Sequence, residues 1–488
     1  MKNSYMNSAI PFVGMALAST VAATAANAEV VAERNGKPNV VIIYADDMGY
    51  ADLSCYGETR WKTKNLDNLA ENGVQFTDFY SASPISSPSR AGLLTGRYPA
   101  RMGIQGVFFP ESYTGMPQSE VTIAEMLREQ GYKTSIVGKW HLGHRERFLP
   151  LQQGFDEYFG IPYSNDMTAQ VYMRGNEVEQ FHIDQNLMIQ TYTKEATGFI
   201  RRNAGRPFFL YMAHNMMHVP IHVSDRFRGK SGAGIYGDAL LELDWSVGEI
   251  VRTLEELNLD KNTIIVFASD NGPWLQEGPL GGTALPLREG KSTDYEGGVR
   301  VPCIAYWKDH FTKGKNTSVA CMLDWFPTIA EFCGGKLPEG VRLDGYDISK
   351  VLMGTGKRAN QDYAYFKNNK NVTAYRSGDW KIELPIPAIE GNFWRPSTEA
   401  RDTVLVNLRE DIGETTNLYY KYPQKAKEML AKLKKYADNF GEVPASLVQN
   451  NNHQLKYLNN ERKRVIKEAQ NRGIKPRKNE VQKFIIAK

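Results

Sequence analysis

The chain has 488 residues, 42% of them hydrophobic, with 25 Tyr and 21 Phe. That excludes a disordered polymer and leaves room for a large core and two domains. The net charge of +4 is unevenly placed: residues 451–488 hold 11 Lys and Arg against 3 acids, leaving the rest near −4. With no zinc-finger or RNP motif, the basic tail reads as a solvated, partly helical extension, and no nucleic acid is expected as a partner.

In chain order, Lys2 precedes the apolar, alanine-rich stretch "AIPFVGMALASTVAATAA", and Ala26-Asn27-Ala28 offers a small-x-small cleavage site. Residues 1–28 are therefore expected to be a removable signal peptide and the protein to be periplasmic or secreted. No later apolar run is long enough to span a bilayer, so no stable membrane insertion is expected. The four cysteines, Cys55, Cys303, Cys321 and Cys333, show neither a disulfide framework nor zinc-site spacing. Cys303, inside the strand-like "VPCIAYW", reads as a buried free thiol.

Four apolar runs each end in a polar cluster. "NVVIIYADD" closes on Asp46 and Asp47, and "YKTSIVGKWHLG" on Lys139 and His141. "RPFFLYMAHNMMHVP" closes on His214 and His218, and "NTIIVFASDNG" on Asp270 and Asn271. Apolar strands without alternation suit a sheet covered on both faces. Helical signals lie between them. "TIAEMLREQG" opens with Thr122 and Glu125 in capping-box spacing, and Leu240, Leu243, Val247, Ile250, Leu254 and Leu257 share one face of a helix over Gly237–Leu257. "SSPSRAGLLTGR", Ser86–Arg97, starts a further helix on two serines with no neighbouring histidine to activate either one.

The predicted fold class is α/β, with a large, mostly parallel central sheet flanked by helices over residues 38–355. From about residue 356 the pattern becomes short antiparallel strands, turning at Asn368–Asn369 and Gly378, then a helix over Pro423–Tyr436. Residues 356–440 are read as a smaller α+β domain with an antiparallel sheet, and 441–488 as the basic extension.

Ligands of open α/β sheets bind beyond the carboxyl ends of the strands, so the four polar clusters are expected to meet. Asp46, Asp47, Asp270 and Asn271 supply only oxygens, which suits a hard divalent cation, Ca2+ more readily than Mg2+. Taken alone, the acidic pair reads as a cap and "DNG" as a tight turn. Arg90, Lys139, Lys291, His141 and His218 suit an oxyanion substrate and a proton donor for its leaving oxygen, whereas His214 and His222 are weaker candidates. The spacing supports metal-assisted hydrolysis of a phosphate or sulfate ester without deciding between them.

"SSPSRAGLLTGR" resembles the sulfatase signature, in which a Cys or Ser is followed by any residue, Pro, Ser and Arg, then a small-Leu-Leu-Thr-Gly-Arg tail. "VIIYADDMGYADLSCYG", "GKWHLG", "GFDEYFGIPYSND", "GDALLELDWSVG", "SDNGP", "GKSTDYEGGVRVP" and "LREDIGETTNL" match further blocks in order. The chain is similar to the arylsulfatase A and N-acetylgalactosamine-6-sulfatase branch, within the alkaline phosphatase superfamily, over about Pro38 to Tyr436. The resemblance implies that Ser86 is oxidised to Cα-formylglycine (3-oxoalanine) by a Ser-type formylglycine-generating maturase of a bacterial host. It also implies that one Ca2+ is held by Asp46, Asp47, Asp270, Asn271 and residue 86.

By the same resemblance, one hydroxyl of the hydrated aldehyde attacks sulfur, Arg90 and Lys139 hold that group, and His141 takes the proton that releases sulfate. Lys291 clamps the sulfate and His218 protonates the leaving alcohol. The implied substrate is a sulfated carbohydrate, an algal polysaccharide or a glycosaminoglycan fragment. Ser replaces the commoner Cys at position 86, Asn407 and Ile412 replace the usual Asp and Pro, and Asn165 stands where arylsulfatase A has histidine. Two other functions remain open: a phosphodiesterase or phosphonate monoester hydrolase of the same superfamily, and an inactive sulfated-glycan-binding protein.

Overall fold

The computed structural model describes residues 36–448 except 168–169, 392–396 and 398, together with positions 467 and 471. The expected signal peptide and most of the basic extension lie outside the described residues. The strands are β1 Asn39–Ala45, β2 Val74–Phe76, β3 Phe79–Tyr80, β4 Lys133–Gly138, β5 Glu157–Gly160, β6 Val171–Arg174, β7 Glu177–Phe181 and β8 Phe208–Ala213. They continue as β9 Thr263–Ser269, β10 Cys303–Tyr306, β11 Gly314–Asn316, β12 Ala320–Cys321, β13 Asp362–Lys367, β14 Asn371–Ser377, β15 Trp380–Glu383 and β16 Val404–Asn407. The longer helices are α1 Lys64–Asn72, α2 Ser86–Thr95, α3 Ile123–Glu129, α4 Met188–Arg202, α5 Ile235–Glu256, α6 Trp325–Cys333 and α7 Pro423–Phe440.

Ten strands form one sheet in the order β11-β2-β10-β9-β1-β8-β4-β5-β6-β7. Its middle, β9-β1-β8-β4-β5, is entirely parallel. Along β1, Val40, Ile42 and Tyr44 enter the core beneath α2, α3 and α6, while Val41, Ile43 and Ala45 enter the opposite core beneath α1, α4 and α5. Alternate residues therefore face different layers, which is why the run is apolar without a period of two. Each buried Val and Ile of β1 stabilises the fold by roughly 1.5–3 kcal/mol.

β13–β16 make the separate four-stranded antiparallel sheet, with α7 packed against β14 and β15. α7 continues past the expected end at Tyr436, because Phe440 is buried against Phe366 and beneath the Arg101 guanidinium. Tertiary packing thus adds a turn that local pattern did not show. α5 buries Leu240, Leu243, Val247, Ile250 and Leu254 as expected but begins at Ile235, and α3 carries the predicted capping box of Thr122 and Glu125. All four cysteines are free thiols, and burial pushes that of Cys333 up to about 12.

Candidate active site

The polar clusters converge at the carboxyl edge of the parallel strands. β1 runs into Asp46 and Asp47, β9 into Asp270 and Asn271, and β4 into Lys139 and His141. The first turn of α2 points Ser86 at the first two of these pairs. The Ser86 hydroxyl lies 2.6 Å from Asp270 Oδ2 and 3.0 Å from Asp46 Oδ1, with Lys139 Nζ 3.3 Å away.

The helix is built to hold that position. Ser89 Oγ donates to the Asp270 carbonyl, and Arg90 donates to Asp270 Oδ2 through Nε at 3.1 Å and Nη2 at 2.9 Å. Leu93 and Leu94 are buried, and Gly96 closes the helix at φ 68°, the left-handed conformation that glycine adopts without strain. Arg97 then pairs with Glu120 at 2.5 Å. The residues after Ser86 are therefore the parts of a mount.

Asp47 accepts from Lys291 Nζ at 2.7 Å and from Asn271 Nδ2 at 2.7 Å, with His218 Nε2 3.6 Å away. Asp46 accepts from Lys139 Nζ at 2.5 Å and stands 3.4 Å from Arg90 Nη2. Asp46, Arg90, Lys139, Asp270 and Asn271 have no solvent-accessible surface. Three carboxylates thus face three cations where water contributes little screening. Burial opposes ionisation of Asp46, yet Lys139 and Arg90 hold its carboxyl below the usual range. At Asp270, burial and the neighbouring Asp46 together keep the carboxyl above that range despite Arg90 and Lys139. Burial pulls Lys139 down against the pull of Asp46, while at Lys291 the carboxylates of Asp47 and Asp46 outweigh burial and raise it.

His141 is held neutral. Burial, then the charges of Lys139 and Arg90, push its pKa well below the ordinary imidazole value. Its Nε2 lies 3.0 Å from the Phe108 carbonyl, which assigns the N–H to that nitrogen, and Nδ1 is buried with no hydrogen-bond partner among the described residues. Both Asp47 (φ 55°) and His141 (φ 61°) adopt left-handed backbone, a cost of roughly 1–3 kcal/mol each that surrounding contacts must sustain.

The donor set fits a hard cation. Asp46, Asp47 and Asp270 offer carboxylate oxygens that all lie within 4.8 Å of one another. Asn271 Oδ1 beside them is buried without a hydrogen-bond partner among the described residues, a carbonyl oxygen oriented by its own amide. An all-oxygen cluster with a spare carbonyl is the donor chemistry that hard divalent cations take.

Sequence reasoning missed two neighbours. Ser164 Oγ lies 3.3 Å from Lys139 Nζ, and the Phe108 carbonyl sets the His141 tautomer. "PYSND" contained Ser164 in plain view, but a backbone carbonyl carries no sequence signal. Asn165 is buried and donates to Gln185 Oε1 and the Pro220 carbonyl, so it braces two loops. His214 is in the core beside Ser246, pushed down to about 3 by burial, and His222 lies near Asn186.

Residues 38–335 match the family model described as Sulfatase. The chain is 38% identical over 422 residues to human (Homo sapiens) arylsulfatase A, covering 78% of this chain and 83% of that protein. It is 40% identical over 375 residues to N-acetylgalactosamine-6-sulfatase of Rattus norvegicus, covering 71% of each. A solved Bacteroides thetaiotaomicron structure, from a study of a locus for metabolism of multiple glycosaminoglycans, superimposes with a TM-score of 0.77 at 31% identity, covering 83% of this chain and 100% of that one. The edge of a parallel sheet that gathers these acids, cations and Ser86 thus belongs to a chain of the sulfatase family, the hydrolases of sulfuric esters.

Proposed function

We propose that this protein is an exported bacterial sulfatase that removes sulfate from a sulfated carbohydrate, using a formylglycine made from Ser86 and one calcium ion. The observation that carries the reading is the placement of the Ser86 hydroxyl between Asp46 and Asp270, beside a cluster of oxygens that includes the buried Asn271 Oδ1. Asp46, Asp47, Asp270 and Asn271, with residue 86, would hold the ion. When bound, calcium supplies positive charge that offsets the carboxylates and polarises an oxygen of the sulfate ester. Formylglycine, once hydrated, supplies one hydroxyl for attack on sulfur and a second through which the sulfate is released.

The chain's own side chains do the remaining work. Lys139 and Arg90 orient residue 86 and the carboxylates around it. Lys291, kept protonated by Asp47, presents charge to sulfate oxygens. His141, neutral with its proton on Nε2, keeps Nδ1 free to accept a proton from the group at position 86. His218 Nδ1 donates to its neighbour's carbonyl, Val219 O, at 2.5 Å, so Nε2, 3.6 Å from Asp47 Oδ2, is the ring atom that would pass a proton to the leaving alcohol, a step for which the ring must carry both protons. The carbohydrate assignment draws on the N-acetylgalactosamine-6-sulfatase relative and the glycosaminoglycan-locus structure. Export draws on the N-terminal pattern.

The test is mass spectrometry of the tryptic peptide Asn65–Arg90 from protein made in its native host, with aryl sulfate and phosphodiester assays in parallel. Loss of two hydrogens at Ser86, with aldehyde reactivity and preferential turnover of the sulfate, is the expected result. An intact serine on active protein overturns the formylglycine route, and an intact serine on inactive protein favours a glycan-binding role.

A further inference from the structure

Away from the strand edge, a surface groove runs on both sides of Trp61. One arm, of about 410 Å3, is walled by Tyr236 and the 278–285 segment. The other, of about 680 Å3, is lined by Lys62, Lys64, Arg226, Phe227, Lys230 and Trp245. The first arm is walled in part by residues of the segment that joins Asn271 to Lys291. Its wall is anchored by Thr283 N–H on Asp52 at 2.9 Å, and Lys291 N–H returns to the Pro273 carbonyl at 2.9 Å. One arm thus borders the segment joining two site residues, and the other, which shares Trp61 with it, borders a cluster of cations.

Lys62, Lys64, Arg226 and Lys230 are all exposed. Among the described residues, none of the four is in an ion pair. The one acid in that arm, Asp244, is buried and committed to the backbone N–H groups of Asn65 and Leu66 and the Asn65 amide at 2.8–3.1 Å. The Arg226 guanidinium stands 4.6 Å over the Trp245 ring and 5.2 Å from that of Phe227. Four uncompensated cations stand out on a body that is net acidic outside its tail. Cations interleaved with aromatic faces match two features of a sulfated sugar chain: anionic oxygens that accept from Lys and Arg, and apolar ring faces that lie on aromatic rings.

We propose that this groove is a second binding site, separate from the hydrolytic one, for a segment of anionic, sulfated oligosaccharide. The choice of a glycan among polyanions rests on the sulfated-carbohydrate reading above. The binding itself is measured without turnover.

The experiment is affinity electrophoresis of the full chain in native gels containing dextran or dextran sulfate, with duplex DNA as a competing polyanion, and p-nitrophenyl sulfate turnover in parallel. Dextran sulfate, but not dextran, is expected to retard the protein. The triple variant Lys62→Ser/Arg226→Ser/Lys230→Ser should bind about tenfold more weakly with aryl sulfate turnover unchanged. Arg226→Lys, which keeps charge and loses the planar stack, should fall between the two. Undiminished retardation of the triple variant overturns the proposal, as does DNA binding to the groove as strongly as dextran sulfate. Groove-dependent retardation of a protein that hydrolyses no aryl sulfate would uphold the binding site and overturn the hydrolase reading instead.

Discussion

Gly92, in the middle of α2, sets two physical effects against each other. By helix propensity, Gly92→Ala should stabilise the protein by about 0.5–1 kcal/mol. A Cβ at this position, however, would stand 2.5 Å from the Ala82 Cβ and 3.1 Å from Leu323 Cδ2. Non-bonded carbons rest at about 3.5–4.0 Å, and the Ala82 Cβ is fixed to its backbone, so α2 must move by ~1 Å. Overpacking of this kind costs about 1–3 kcal/mol, which outweighs the propensity gain and leaves a net destabilisation on the order of 1 kcal/mol.

The displacement matters more than the stability. α2 holds Ser86 at 2.6 Å and Arg90 at 2.9 Å from Asp270. A shift of about 1 Å in such a constellation costs roughly 100-fold in turnover. The assay is urea unfolding together with aryl sulfate turnover, normalised to the aldehyde content of the Asn65–Arg90 peptide. A Gly92→Ala protein that is more stable than the parent and fully active would refute the packing argument.

Three further outcomes are expected. Chelation with EGTA should abolish aryl sulfate turnover and lower the thermal midpoint, with Ca2+ restoring both better than Mg2+, because the oxygen cluster is irregular; full activity after chelation counts against a resident cation. Ser86→Ala should be inactive under all conditions, whereas Ser86→Cys should be active only when expressed with a maturase that oxidises cysteine, as read by hydrazide labelling. Burial raises the Asp52 carboxyl from 3.8 to about 6 against its hydrogen bonds from Tyr236, Gly49 and Thr283. Since the folded value is the higher one, its contribution of roughly 3 kcal/mol is fully present below pH 4 and is lost as pH rises through about 6. Denaturant midpoints between pH 4 and 7 should therefore fall less steeply for Asp52→Asn, and parallel curves for the two proteins would contradict that assignment.

Much of the site was legible because its parts are strand ends. "NVVIIYADD" and "NTIIVFASDNG" announce both a doubly covered strand and the oxygens that follow it, and a parallel sheet brings such ends to one edge whatever their separation in sequence. The signature at Ser86–Arg97 was legible as resemblance, and the structure supplies physical roles for its later residues: Ser89 and Arg90 grip Asp270, and Gly96 turns the chain. What sequence did not show depends on distant partners. The Phe108 carbonyl at His141, the Ala82 methyl against Gly92 and the amide contacts of Asn165 are accidents of neither composition nor period. They exist only once the loops are in place.

The block "LREDIGETTNL" shows how far that dependence reaches. It lies on the far side of the antiparallel sheet in sequence, and no side chain in it touches Ser86. Glu414 within it accepts the Glu296 N–H at 2.8 Å and Lys381 Nζ at 2.7 Å, and its carbonyl accepts from Arg288 at 2.9 Å. Arg288 and Glu296 bracket the loop that carries Lys291, so Glu414 fixes that loop from both ends. Glu296 also accepts from Tyr80 and Tyr365 at 2.5 Å, which ties the same loop to β3, paired with β12 in a two-stranded sheet, and to β13 of the antiparallel sheet. A buried carboxylate that loses such partners costs several kcal/mol, so the loop has little freedom to relax away from Asp47. The smaller sheet is thereby part of what holds Lys291 in place, even though it contributes no group to the chemistry.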